Sequence, residues 1–219
     1  MRYSKLFGKT TKTVSAQATA VSHKLLLQGG FIRPLAAGRY SLLPLGFKVA
    51  KKIEDIIRKE VEKTGAQELI VPTLHPLDLW QKANRDKKFG SSMMRITDRN
   101  DTEFTLGATA EVVMLDLVDQ LKPTYKDLPI NIYQFSQKFR DEARPNGGLL
   151  RVREFVMKDA YSFHENETSL LETFNQYKTA YQNIAKTLDL KATPVEADSG
   201  AIGGQTSYEF MVETDVGEE

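Results

Sequence analysis

Residues 138–159 read Lys138-Phe-Arg-Asp-Glu-Ala-Arg-Pro-Asn-Gly-Gly-Leu-Leu-Arg-Val-Arg-Glu-Phe-Val-Met-Lys-Asp159. They sit inside two runs that read as β-strands, Ile130–Phe139 and Arg151–Phe163. Between them Pro145, Asn146, Gly147 and Gly148 mark a turn. The connection Asp141–Leu150 is longer than the usual hairpin loop of about two to five residues, and long loops often carry function. Side chains alternate between the faces of a strand. Arg151, Arg153, Phe155, Met157 and Asp159 are therefore expected on one face of the second strand, with Arg140 and Glu142 on one face at the end of the first. Two readings fit. Arginines give bidentate phosphate contacts, Phe155 offers a stacking plane and Glu142 an acceptor for an exocyclic amine, which suits a triphosphate and a flat base. Alternatively Phe155 and Met157 are core and the arginines pair with Glu142, Glu154 and Asp159.

Outward from this hairpin the chain alternates helices and strands. Ala18, Val21, Leu25 and Leu26 predict a helix over Ala16–Gln28, stopped by Gly29 and Gly30. Pro34, Gly38, Pro44 and Gly46 punctuate a loop-rich stretch from Phe31 to Leu45. Val49, Ile53, Ile56, Ile57 and Val61 form one stripe of a helix over Phe47–Thr64, which Gly65 ends. Glu68–Val71 reads as a short strand before Pro72. Thr109–Leu121 reads as a helix with Thr109 as its N-cap. Ser169–Leu188 is a helix whose Ser169 and Glu172 match a capping box. This irregular mixture argues for an α+β fold with an antiparallel sheet flanked by helices.

Composition removes several function classes. At 219 residues the chain is one large domain, or one domain plus a fragment. Cysteine is absent, so disulfides, thiolate nucleophiles and cysteine zinc sites are excluded, which fits a reducing, cytoplasmic setting. No run of apolar residues is long enough for a membrane span, and the N-terminus lacks the apolar segment of a secretory signal. With 30 Lys and Arg against 29 Asp and Glu, there is no basic coat for nucleic acid. The charge is uneven, however. Residues 138–158 are basic, whereas the stretch from Asp189 onward is acidic, with Lys191 as its one base. A local arginine cluster beside apolar strands fits a bound anion better than a diffuse basic face, and fits a set of surface ion pairs equally well. No Gly-x-x-x-x-Gly-Lys loop, Gly-x-Gly-x-x-Gly fingerprint or HExxH is present, and Gly200–Gly204 matches only in glycine content. His23, His75 and His164 are far apart and read as surface or partly buried residues, so no metal site is expected.

The pattern Phe139-Arg140-Asp141-Glu142, a glycine-containing loop and Gly148-Leu-Leu-Arg151-Val-Arg-Glu-Phe155 resembles motif 2 of class II aminoacyl-tRNA synthetases. The wider chain resembles the bacterial-type prolyl-tRNA synthetase family. The resemblance runs through Gly30-Phe31-Ile32-Arg33-Pro-Leu-Ala-Ala-Gly-Arg-Tyr-Ser-Leu-Leu-Pro-Leu-Gly46 and Gly65-Ala66-Gln67-Glu68. It continues in Met157-Lys-Asp-Ala-Tyr-Ser-Phe-His164 and Glu196-Ala-Asp-Ser-Gly-Ala-Ile-Gly-Gly204. It is collinear and covers essentially the whole chain.

The resemblance implies a ligase that activates L-proline with ATP and transfers it to tRNA(Pro). The Phe47–Thr64 helix, the strand after it and Pro72 would be motif 1, which builds a homodimer interface. Arg140 would contact the ATP α-phosphate and the proline carboxylate, and would be the catalytic residue. Glu142 would touch the adenine amino group, Arg151 the γ-phosphate, and Phe155 would stack on adenine. Thr109 and Glu111, in a Thr-x-Glu element, would receive the imino group of proline, and Met157 would line the pyrrolidine pocket. Mg2+ is expected on the triphosphate, and no protein metal site or membrane partner is implied.

The chain departs from the family in two places. Gly107-Ala-Thr-Ala-Glu-Val112 stands where the family reads Gly-Pro-Thr-His-Glu-Glu, which puts the surroundings of the proline pocket in doubt. Nothing matches motif 3, the glycine-rich strand and helix with a second ATP-clamping arginine, nor the anticodon-binding domain. The expected layout is a catalytic core with motifs 1 and 2 over 1–195, and over 196–219 a continuation toward an insertion or editing domain or the rest of the core. That makes the chain the N-terminal part of a longer synthetase, inactive alone. The alternative is a non-catalytic synthetase-like binding or regulatory protein that has lost motif 3.

Overall fold

In the computed structural model, residues 2–16, 18–200, 204 and 206–217 are described. Part of the Glu196–Gly204 block, residues 201–203, lies outside them. The fold opens with helix α1 (Val21–Gln28), closed by Gly30 at φ +70°, a left-handed stop that glycine adopts without steric penalty. It begins later than the expected Ala16. The stretch expected as loop is instead a ribbon of β1 (Ile32–Ala36) and β2 (Arg39–Leu42). Pro34 made it read as a break, yet a two-stranded ribbon leaves open edges where a missing N–H costs nothing.

Helix α2 (Pro44–Glu62) carries the predicted stripe, with Pro44 in its first turn, where a missing N–H is harmless. Then come β3 (Gln67–Glu68), β4 (Leu74–Pro76), the short helices α3 (Leu77–Lys82) and α4 (Arg85–Phe89), β5 (Arg95–Thr97) and β6 (Glu103–Leu106). Helix α5 (Glu111–Leu121) precedes the central pair β7 (Ile130–Phe139) and β8 (Glu154–Phe163). Helix α6 (Glu167–Thr187) and the hairpin β9 (Ala192–Glu196) with β10 (Tyr208–Val212) complete the chain.

β7 and β8 pair antiparallel over their full length, from Ile130 opposite Phe163 to Phe139 opposite Glu154. β3 joins β7 in parallel, and a second sheet has the order β4-β6-β5. Among the described strands β8 has a neighbour on one side only. One face of β7–β8 presents Tyr133, Phe135 and Ala160 to Val61, Ala66 and Tyr177, which packs the sheet on α2 and α6. The other face sets Ile132, Tyr161 and Phe163 against Ala110 and Met114 of the α5 region. A third cluster, Leu77, Trp80, Met93, Ala108 and Val112, supports the loop before α5 from below. The result is the expected α+β arrangement, an antiparallel pair between helices.

Four further local expectations change. The second strand starts at Glu154, because Arg151 closes a tight loop by pairing with Asn146 across Gly147 and Gly148. Both glycines have positive φ, and a Cβ on Gly148 would meet the His23 ring of α1 at 2.7–2.9 Å. Thr109 does not cap α5. Ala110 occupies that position, and the Thr109 hydroxyl turns to Tyr161. α6 starts two residues before Ser169, because Asn166 accepts the Ser169 N–H at 2.9 Å. His75 is buried, at 2% exposure, where a surface or partly buried residue was expected.

Candidate active site

The β7–β8 register places Lys138 opposite Phe155, Ser136 opposite Met157, Gln134 opposite Asp159 and Ile132 opposite Tyr161. These residues share one face by strand alternation. At the open end of the face, Arg140 leaves β7 with its N–H on the Arg153 carbonyl at 3.0 Å. Its guanidinium carbon lies 5.5 Å from the Phe155 ring centroid, and its Nε donates to the Ala108 carbonyl at 3.4 Å. Beyond it, Glu142 and Arg151 form an ion pair. Hydrogen bonding from Arg151 holds the Glu142 carboxyl below the usual carboxylate range. Arg140, Glu142, Arg151 and Phe155 line one cavity of about 720 Å³, with Leu150 and Val216 among its apolar walls. That volume suits a nucleotide-sized ligand.

Arg153 does not join this face. Its Nε donates to the Glu142 carbonyl at 2.8 Å, its Nη1 to the Ala37 carbonyl at 3.3 Å, and its N–H to the Gly38 carbonyl at 2.8 Å. It ties the hairpin loop to the β1–β2 turn, which is possible because residues 151–153 lie outside the strand. The core-only reading also changes: Asp159 pairs with Lys138 at 3.1 Å and Glu154 accepts from Gln137 at 3.1 Å. Glu142 with Arg151 is the part of that reading that holds.

Residues 107–111 cross the same face. The Phe139 N–H donates to the Gly107 carbonyl at 3.0 Å, and the Gly107 N–H to the Thr73 carbonyl at 2.9 Å. Gly107 is obligatory by close approach, since a Cβ there would stand 2.6 Å from Cε1 of His75. The Tyr161 hydroxyl accepts the Ala110 N–H at 3.1 Å and lies 3.3 Å from the Thr109 hydroxyl. Thr109 is thus fixed between α5 and β8, on the face that carries Met157. Glu111, at the start of α5, is half-buried and paired with Arg85 at 3.0 Å. Burial pushes its carboxyl up, against the opposing pull of Arg85 and Lys88.

Sequence reasoning missed the polar residues beneath the site. Lys138 and Gln134 are fully buried. Gln134 Oε1 accepts the Val71 N–H and its Nε2 donates to Asp159 Oδ2, while Lys138 also donates to Ser136. Their signal was present: Gln134, Ser136 and Lys138 fall at alternate positions of an apolar strand. Arg85 carried no such signal, because its pairing with Glu111 is a long-range contact. Among the described residues no group of three His, Asp or Glu is placed to hold a metal, and no helix is long and apolar enough to cross a membrane.

The family model for the tRNA synthetase class II core domain (G, H, P, S and T) matches residues 94–219, more than half of the chain. Over its whole length the chain is 47% identical to a proline–tRNA ligase of Dehalococcoides mccartyi and 52% identical to one of Bacillus cytotoxicus. It spans 38% and 39% of those proteins. Among solved structures, a Giardia lamblia prolyl-tRNA synthetase in complex with prolyl-adenylate superimposes with a TM-score of 0.71 at 22% identity, over 76% of this chain and 35% of that one. A Cryptosporidium parvum prolyl-tRNA synthetase complexed with halofuginone and AMPPNP gives 0.72 at 17% identity, over 84% of this chain and 38% of that one. These likenesses concern the fold. With motif-2 residues gathered around one cavity and the family match extending through them, the chain belongs to the class II tRNA synthetase core-domain family.

Proposed function

We propose that this chain is the N-terminal part of a proline–tRNA ligase, which forms prolyl-adenylate from proline and ATP and then transfers the prolyl group to tRNA(Pro). The observation that carries this reading is the convergence of Arg140, Glu142, Arg151 and Phe155 on one cavity. It abuts a loop that presents Thr109 and Glu111 and is hydrogen-bonded to Arg140 itself. The curated relatives, matched along the whole chain, are named proline–tRNA ligases.

In this reading adenine stacks on Phe155 and its amino group donates to Glu142, while Arg151 reaches the γ-phosphate. The triphosphate arrives with its own Mg2+. Thr109 and Glu111 receive the secondary ammonium of proline, and Met157 contacts the ring. A proline carboxylate oxygen attacks the α-phosphorus, the bond from that phosphorus to the α,β-bridging oxygen breaks, and pyrophosphate leaves. Arg140 stabilises the charge that builds on the α-phosphoryl oxygens and orients the attacking carboxylate. No protein nucleophile is needed. A ribose hydroxyl of tRNA then attacks the carbonyl carbon and AMP leaves.

The exposed apolar residues Phe47, Val49 and Ile53 of α2 support a homodimer formed through the motif 1 region. Residues 196–219 would lead from the catalytic core at 1–195 toward an insertion or editing domain or the rest of the core. The setting is cytoplasmic. Charging of tRNA(Pro) with radiolabelled proline by the full-length gene product tests the reading. Charging with proline supports it, and charging with a different amino acid refutes it.

A further inference from the structure

Beneath the proline subsite lies a chain of hydrogen bonds whose direction can be worked out end to end. Lys138, at 2% exposure, is ion-paired with Oδ1 of Asp159. The other oxygen, Oδ2, receives Gln134 Nε2 at 3.1 Å and the Tyr161 hydroxyl at 2.8 Å. Gln134 cannot be turned round, because its Oε1 already accepts the Val71 N–H at 3.2 Å. A carboxylate locked to an ammonium and fed by two donors accepts only. Tyr161 must therefore spend its single proton on Asp159. Its oxygen then accepts the Ala110 N–H at 3.1 Å, which leaves the Thr109 hydroxyl at 3.3 Å as a donor to it.

We propose that Tyr161, held by Asp159, fixes the Thr109 hydroxyl proton away from the pocket, so that Thr109 offers the substrate only a lone pair. Such a site matches a ligand with N–H at that point, as in the secondary ammonium of proline, and rejects a ring of the same shape carrying an acceptor there. Tyr161 is thus a positioning residue that acts through Thr109. The inference rests on the proline reading above and adds the residue that sets the polarity of the imino contact.

The test compares proline with tetrahydrofuran-2-carboxylate, whose ring oxygen replaces the imino nitrogen, in ATP–pyrophosphate exchange by the full-length gene product. In Tyr161→Phe the Thr109 proton is free to face the pocket. The KM for proline is expected to rise about tenfold or more, the scale of one hydrogen bond to a charged group. The KM for ATP should stay within about twofold, since Tyr161 touches no nucleotide residue. The inhibition constant of the oxygen analogue, taken relative to the proline KM, should fall at least about tenfold. In a Thr109→Val background the Tyr161 substitution should add nothing to the proline KM. If Tyr161→Phe does not fold, Thr109→Val alone serves instead: loss of a lone pair raises the KM for proline and lowers the relative inhibition constant of the oxygen analogue, whereas loss of a proton donor would raise that constant. An unchanged ratio in active variants, or an equal effect in the Thr109→Val background, overturns the proposal. A wild type that exchanges with an amino acid other than proline refutes the underlying reading instead.

Discussion

Arg140 faces the Phe155 ring, its guanidinium carbon 5.5 Å from the centroid, while its Nε reaches the Ala108 carbonyl at 3.4 Å. One side chain thus links Phe155, the proposed adenine platform, with the loop that carries Thr109 and Glu111. Arg140→Ala in the full-length protein should lower kcat/KM for proline-dependent exchange by about 10²–10³-fold, the cost of removing one preorganised electrostatic contact. Arg140→Lys should recover little, because an ammonium cannot reproduce the planar fork. Thermal unfolding of both variants should stay near that of the wild type.

The Glu111–Arg85 pair sets a pH dependence. Burial raises the Glu111 carboxyl, so it ionises later than a free glutamate as pH rises. A carboxylate is the form that binds a secondary ammonium. The KM for proline should therefore fall as pH rises through that raised value. Arg85 opposes the rise, so Arg85→Ala should move the midpoint to higher pH. KM–pH profiles of wild type and variant check both directions.

Lys138 and Asp159 are a buried ion pair at 3.1 Å. Removing one partner leaves the other charge buried and unpaired. Lys138→Met or Asp159→Ala should each cost about 3–5 kcal/mol in urea unfolding. The double variant should cost clearly less than the sum of the two, because no orphaned charge remains.

His75 is buried between the Trp80 N–H, which donates to its Nδ1 at 3.2 Å, and the Pro72 backbone. Burial lowers its pKa to about 4, against about 6.5 in the unfolded chain. The stability it contributes is fully present above the unfolded value and is lost as pH falls toward 4. The loss should reach about 3 kcal/mol. His75→Gln should remove that part of the slope between pH 6.5 and 4, measured by urea unfolding at a series of pH values.

Much of this arrangement was legible from the chain itself. The stripe on α2, the β7–β8 hairpin and the face carrying Phe155, Met157 and Asp159 follow from local periodicity, which sequence records directly. Arg140, Glu142, Arg151 and Phe155 line one cavity, although Arg151 reaches it from the loop and not from the strand face its spacing implied. What failed depended on partners remote in sequence. Thr109 looked like an N-cap, but its hydroxyl is taken by Tyr161, 52 residues away. Arg153 looked like a ligand contact, but the β1–β2 turn claims it through Ala37 and Gly38. Ser169 looked like a cap, and Asn166 outcompeted it by an Asx side chain three residues earlier. Arg85 was invisible for the same reason, since nothing near it in sequence names Glu111.

The most direct measurement is ATP–pyrophosphate exchange by the full-length gene product with each amino acid in turn, beside its Arg140→Ala variant. Exchange driven by proline and abolished in the variant is the predicted result. Folded protein that exchanges with no amino acid, or with another in preference to proline, would contradict the assignment of this cavity to proline activation.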